Sequence, residues 1–167
     1  MKSNLFIRKQ NGIISLAIVL FVCQFSYGQS TFQLEMQKLH FMVGDWVGTA
    51  STIENGEIIA TVPAFEKISY KLDGSLLTID LHSEKLQLHT VIYYDEEEQT
   101  YFYNPFYKNG SAKYKAKYQE GKFIVAPSKT KRFVFSLNEA GEFVEYGETL
   151  KNGKWLKYFE DTFKNIR

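Results

Sequence analysis

The stretch YFYNPFYKNGSAKYKAKYQEGKFIV, residues 101–125, carries the pattern that decides the fold. From Tyr114 to Tyr118, aromatic and small residues alternate with lysines, as in a strand that has one buried and one solvated face. Asn109-Gly110 and Glu120-Gly121 flank this segment. Asn-Gly is a strong signal for a tight hairpin turn, because both central residues of that turn need positive φ. The stretch therefore predicts consecutive antiparallel strands joined by short turns.

The same pattern continues in both directions from this stretch, and turn signals recur at short intervals from Gly44 onward. Between them lie ten segments that read as strands. The predicted strands are 46–54, 57–70, 75–83, 86–95, 99–107, 111–119, 122–126, 131–138, 142–151 and 154–163. A meander of this length tends to close on itself, because closure removes the exposed edges. We therefore predict an all-β fold, an antiparallel up-and-down β-barrel of about ten strands. A two-sheet sandwich is the alternative.

One helix is predicted ahead of the first strand. In residues 33–43 the apolar side chains recur at nearly helical spacing, and the segment ends at Gly44. We expect this short N-terminal helix to cover one end of the barrel. Three prolines interrupt the strands, and Pro63 is expected to mark a bulge or bend in the second strand.

The N-terminus has the order of a secretory signal peptide. Three basic residues among the first nine precede an apolar run at 13–23, and small residues follow at Ser26 and Gly28. We predict a signal peptide over 1–28 and a single β-barrel domain over 29–167, exported to the periplasm or secreted. A retained N-terminal anchor is the alternative. The apolar run is short for a bilayer span, so no transmembrane segment is expected in the mature chain.

Composition excludes several classes of function. The predicted mature part has two more acidic than basic residues, so nothing favours a nucleic-acid partner. Its sequence contains no cysteine, because Cys23 lies in the predicted signal peptide, and this excludes disulfides, thiolate metal sites and a thiol nucleophile. His82 and His89 fall on the polar face of their predicted strands, so we expect surface histidines and no metal site. We predict no cofactor.

A set of mostly aromatic side chains from several predicted strands is expected to face the barrel interior. Tyrosine hydroxyls need partners when buried, so a tyrosine-rich interior suits a cavity that holds water or a mostly apolar ligand with a polar group. Glu145 shares a strand face with Phe143 and is the candidate buried carboxyl group. The predicted ligand-pocket residues are Trp46, Tyr101, Tyr103, Tyr114, Tyr118, Phe133, Phe135 and Glu145. No catalytic residue is assigned.

The run Gly44-Asp45-Trp46-Val47-Gly48 directly follows the predicted helix. It resembles the Gly-x-Trp signature of the calycin superfamily, which includes lipocalins and fatty-acid-binding proteins. The longer Gly-x-Trp-x-Gly form is similar to nitrobindins and to exported bacterial lipocalin-like domains of unknown function. The resemblance implies a barrel with Trp46 plugging its closed end. It also implies a late basic residue, Lys164 or Arg167, packed over this tryptophan.

The chain departs from nitrobindins in one respect that bears on cofactors. Nitrobindins hold haem through a histidine late in the barrel, whereas this sequence has no histidine after His89. Haem binding is therefore not expected. Three hypotheses remain for the function: a binding module for a small, largely apolar or aromatic molecule; a solidly filled barrel that acts as a structural or protein-interaction module; and an isomerase- or cyclase-type enzyme with Glu145 as its acid.

Overall fold

A computed structural model describes residues 30–167, and in it ten antiparallel strands close into a barrel. The predicted signal peptide, 1–28, lies outside the described residues. An α-helix, α1 (Thr31–Gln37), leads into a 3-10 turn (Lys38–Met42), and strands follow to the end of the chain. The strands are β1 (Gly44–Glu54), β2 (Glu57–Lys71), β3 (Leu76–Ser83), β4 (Gln87–Asp95), β5 (Thr100–Tyr107), β6 (Gly110–Ser111), β7 (Tyr114–Gln119), β8 (Lys122–Ser128), β9 (Lys131–Leu137), β10 (Phe143–Lys151) and β11 (Lys154–Asn165).

Nearly every pairing joins strands that follow each other along the chain, as the turn signals predicted. The exception is β1 with β11, which closes the ring in a register that places Gly48 opposite Phe163. The short β6 pairs only with β5, and β7 takes the next place in the ring. The predicted strand at 111–119 is thus two elements, because Ser111 pairs back onto Phe106 before β7 begins.

Gly48 allows β1 and β11 to pair closely. A Cβ atom at this position would lie 1.9 Å from the carbonyl oxygen of Thr162 and 2.8 Å from the Cα of Phe163. No side chain fits at that distance from backbone atoms. The glycine is therefore required by the close approach of the two backbones.

The predicted short helix is present but changes geometry along its length, and the bulge expected at Pro63 lies elsewhere. The predicted continuous helix at 33–43 changes from α to 3-10 geometry after Gln37, a common way to tighten a helix end. Pro63 lies opposite Thr49 with no shift of register, and the irregularity falls between Thr52 and Ile53 instead. The proline is tolerated because β3 pairs with β2 only from Ala64 onward, so Pro63 has a neighbouring strand on one side only.

The helical segment closes one end of the barrel. Trp46 packs beneath it, with its ring centroid 5.2 Å from that of Phe143, and its indole Nε1 donates a hydrogen bond to the carbonyl of Met42 (2.7 Å). Two tyrosines from the barrel wall hold the helix: the Tyr70 hydroxyl donates to the carbonyl of Met36, and the Tyr101 hydroxyl bonds Glu35, each at 2.8 Å. Trp46 is 3 % exposed, so this end is packed and closed.

Candidate functional site

The opposite part of the barrel interior contains a cavity of about 210 Å³. Its walls are side chains of β1–β5 and β9–β11, and most of them are aliphatic or aromatic. They include Ile79, Leu81, Leu88, Phe133, Phe135 and Phe159. Ser83, Lys85 and Leu86 also line it, and because Lys85 and Leu86 are exposed, the cavity reaches the surface at the β3–β4 turn.

Three carboxyl groups lie inside this largely apolar space: Glu66 on β2, Glu145 on β10 and Asp161 on β11. They are 1 %, 8 % and 7 % exposed, respectively. Each occupies an inward position of its strand, two residues from a buried apolar side chain. Such buried acids normally have a basic partner. Among the described residues that line the cavity, Lys85 at the rim is the only base.

Glu145 and Asp161 form a pair. They lie opposite each other across β10 and β11, and their side chains are hydrogen-bonded. Asp161 also accepts a hydrogen bond from the backbone N–H of Ser51, at 3.2 Å. Burial raises the pKa of Asp161 to about 6, although the hydrogen bonds from Glu145 and Ser51 act in the opposite direction. Burial, then the charges of Glu66 and Asp161, raise the pKa of Glu145 well above its usual value. Near pH 7 the proton therefore stays on Glu145, and the protonated Glu145 donates a hydrogen bond to the Asp161 carboxylate.

Glu66 has no comparable partner. Its Oε2 atom is buried and makes no hydrogen bond to any of the described residues. Burial, together with the negative charge of Asp161, raises the pKa of Glu66 to about 8. An unpaired buried carboxyl group is costly to the fold, so its presence in a cavity calls for an explanation beyond packing.

Tyr103 is the other polar group deep in the cavity. Its hydroxyl accepts a long hydrogen bond (3.4 Å) from Thr90, and the ring packs between Phe133 and Phe135, with centroid distances of 6.4 and 5.8 Å. Burial and the neighbouring Glu145 raise the pKa of Tyr103 far above its ordinary range, so this hydroxyl stays neutral.

The structure brings together half of the residues predicted to form a pocket. Tyr103, Phe133, Phe135 and Glu145 line the cavity. The other four do not line it and belong to the packed aromatic core or its margin. Trp46 and Tyr101 are fully buried there, whereas Tyr114 and Tyr118 are partly buried and pack against that core. The interior contains both a cavity and a solid plug of aromatic rings. Alternation along a strand shows which residues face inward, but not whether they line the cavity or belong to the plug.

Sequence reasoning missed Glu66 and Asp161 as site residues. The same alternation that selected Glu145 would have found both: Glu66 lies between Ala64 and Ile68 on the inner face of β2, and Asp161 lies between Phe159 and Phe163 on β11. A charged residue at an inward position between two apolar ones is the signal.

The other polar candidates lie outside the cavity. His82 is exposed, and the Nδ1 atom of His89, also exposed, lies 2.6 Å from Asp80 Oδ1. Within residues 30–167 no group of histidine and acidic residues has the arrangement of a metal site. The two late basic residues form ion pairs: Arg167 pairs with Asp45, and Lys164 pairs with Glu142. No helix in this part of the chain is long and apolar enough to cross a bilayer.

One similar solved structure is that of a protein of unknown function from the DUF3598 family of Nostoc punctiforme, which is 6 % identical. The match covers 79 % of this chain and 99 % of that one, with a TM-score of 0.29. No protein-family model and no curated protein sequence matches the chain.

Proposed function

We propose that the barrel binds a small, largely apolar or aromatic molecule in the cavity. The observation that carries the proposal is the cavity itself, about 210 Å³ of space among apolar side chains in an otherwise packed interior. An engineered apolar cavity of about 150 Å³ is large enough to bind benzene. This barrel therefore has room for one aromatic ring and a short substituent.

The arrangement of the two barrel ends supports the same proposal. The helix and Trp46 seal one end, and the cavity reaches the surface at the other, beside Leu86. A binding site needs such an opening, whereas a solidly filled structural barrel would have neither cavity nor opening. The resemblance to exported lipocalin-like domains agrees with a binding role outside the cytoplasm, and export remains part of the proposal.

The test uses calorimetry and thermal shift with neutral one-ring ligands, namely 2-phenylethanol, indole and p-cresol. We expect at least one to raise the melting temperature, because a ligand present at about 100 times its Kd stabilises a protein by about 2.7 kcal/mol. Val62→Trp, which places a large side chain in the cavity wall, should abolish the shift. Val47→Trp on the exposed face of β1 is the matched control and should leave it unchanged.

Native mass spectrometry of protein from its own host supplies an independent readout. A mass excess that disappears under denaturing conditions is expected, and its value would help to identify the ligand. If no excess appears and no compound shifts the melting temperature of the folded protein, the binding proposal is wrong.

A second candidate, a proton-transfer enzyme, is favoured by one observation: Glu145 and Asp161 are buried, lie opposite each other and share a hydrogen bond in the cavity. Such a pair can donate and accept a proton within one apolar site. Deuterium incorporation into the retained ligand in D₂O, lost in Glu145→Gln, would support this candidate. Unchanged ligand after prolonged incubation would leave binding as the function.

A further inference from the structure

Three buried carboxyl groups, those of Glu66, Glu145 and Asp161, line one part of the cavity and form its carboxyl cluster. This carboxyl cluster limits the kind of ligand that fits. A purely apolar molecule would leave Glu66 Oε2 as it is now, buried and without a hydrogen bond. It would also displace water from around the negatively charged Asp161 carboxylate and offer no charge to compensate it. Both states are unfavourable, so the cluster calls for a partner that supplies hydrogen-bond donors and positive charge.

We propose that the ligand carries a protonated amine on a compact aromatic or aliphatic body, with the ammonium group held by Glu66 and the Glu145–Asp161 pair. This inference rests on the proposed binding function and names the class of ligand. Only a cation with N–H groups both satisfies the unpartnered oxygen and offsets the charge of the cluster.

The surroundings of the cluster suit such a ligand. The apolar body would lie among Phe133, Phe135 and Phe159, whose rings line the same cavity and can also face a cation. Lys85, the only base among the lining residues described, is exposed at the β3–β4 turn, so its ammonium group is free to remain in solvent and does not neutralise the buried acids. The cavity volume limits the body to about one ring with a short chain.

Binding of an ammonium group must be accompanied by loss of a proton from the cluster. Several titratable or charged groups face Glu66 across the cavity: Glu145 from β10, Asp161 from β11, Tyr103 and Tyr107 from β5, and Lys85 from the rim. The tyrosine hydroxyls are neutral in this range, since burial raises the pKa of both. Because the pKa of Glu66 is about 8, this group is mostly protonated in the empty barrel at pH 6 and must ionise to hold the cation.

The expected linkage has a definite sign. The affinity for an amine that stays protonated should rise by about tenfold per pH unit between pH 6 and about 8, and then level off. About one proton should be released per ligand bound. A neutral ligand that accepts a hydrogen bond from protonated Glu66 would behave in the opposite way, since its affinity would fall above pH 8.

The experiment compares 2-phenylethylamine with 2-phenylethanol, which have similar size and shape, and adds ethylamine as the amine without a ring. Isothermal titration calorimetry at pH 6, 7 and 8, in buffers of different ionisation enthalpy, measures both affinity and proton release. We expect the aromatic amine to bind at least tenfold more tightly than the alcohol at pH 8, and ethylamine to bind more weakly than the aromatic amine.

The variants Glu66→Gln and Asp161→Asn should each lower amine affinity by at least tenfold, and Glu66→Gln should also remove most of its pH dependence. Glu98→Gln, which removes an exposed acid that lies outside the cavity and pairs with Lys115, is the matched control and should change neither. Equal or tighter binding of the alcohol at every pH would overturn the amine inference while leaving the binding function intact. Binding of neither compound, together with no response to the neutral panel, would instead show that the cavity is not a ligand site.

Discussion

Glu66 is the residue at which stability and binding conflict. It is 1 % exposed, one of its oxygens has no hydrogen bond, and two other acids lie nearby. A fold selected for stability alone would place a methionine or leucine there, because apolar replacements of buried charged groups are often neutral or stabilising. That a strand otherwise apolar on its inner face carries this acid is the main reason to assign the cavity a function.

The replacement Glu66→Met should therefore stabilise the barrel. We expect an increase of about 1–3 kcal/mol in the free energy of unfolding at pH 8, because the change removes an unsatisfied buried carboxyl group and keeps most of the side-chain volume. Chemical denaturation at pH 8 measures it.

Glu148→Met is the matched control on β10. Glu148 is 8 % exposed, but its carboxylate contacts the Arg132 guanidinium at 2.5 Å, so losing it should destabilise the protein by about 1 kcal/mol or more. A destabilising effect of both replacements would mean that Glu66 is satisfied in solution, contrary to the structure.

At the scale of the elements, β1 joins the sealed end to the cavity. Trp46 lies at its beginning, beneath the helix, and Ala50 lines the cavity opposite Asp161 on β11. Between them, Gly48 allows the two backbones to meet. The strand therefore depends on a glycine at this one position, where the backbone of β11 leaves no room for a side chain.

Gly48→Ala should disrupt this pairing. The added methyl group would lie within 2 Å of the Thr162 carbonyl oxygen, and backbone atoms cannot move aside cheaply. We expect a loss of about 2–4 kcal/mol in the free energy of unfolding, together with faster amide hydrogen exchange in β1 and β11. Thr49→Ala, at the exposed neighbouring position, should cost less than about 1 kcal/mol. Equal effects of the two changes would contradict the close approach.

The strands could be predicted well because turns and alternation are local properties of the sequence. Asn152-Gly153 and the segments flanking it define the β10–β11 hairpin without any knowledge of the rest of the chain. Irregularities depend on distant partners and could not be found in this way. Gly147 is an example: a Cβ there would lie 2.3 Å from the Phe159 ring, and nothing near Gly147 in the sequence announces that contact.

The same distinction explains the partial success with the site. The inward faces of β5, β9 and β10 could be read from alternation, and they supplied Tyr103, Phe133 and Glu145. Whether an inward residue lines a cavity or fills the plug depends on its height in the closed barrel, which register and closure determine. Tyr101 and Tyr103 are adjacent inward positions on one strand, yet one bonds the helix and the other lines the cavity.

For the molecule as a whole, the carboxyl cluster makes stability depend on pH. The folded barrel raises the pKa of Glu66 from 4.5 to about 8 and that of Asp161 from 3.8 to about 6, and it shifts Glu145 in the same direction. Between about pH 5 and 8 the folded state therefore binds more protons than the unfolded state. Stability must fall as the pH rises through this window.

We expect the melting temperature of the ligand-free protein to be lower at pH 8 than at pH 5, by roughly 5 °C or more, in differential scanning calorimetry. The double variant Glu66→Gln/Asp161→Asn should show a much flatter profile. A melting temperature that rises over this range in the unmodified protein, or an equal slope in the double variant, would mean that the cluster is not held in a dry interior.

The closure of the ring by β1 and β11 has a consequence for the lifetime of the folded state. The other pairings join strands that are consecutive or separated only by the short β6, whereas the contact of Ser51 with Asp161 spans 110 residues, so this seam between β1 and β11 closes the longest loop. Glu66 belongs to β2, on one side of the seam, and Glu145 and Asp161 belong to β10 and β11, on the other. A cation bound among them would link the strands on the two sides of the seam. Barrels with bound ligand would then open more slowly than empty ones, and ligand binding would protect the chain from proteases.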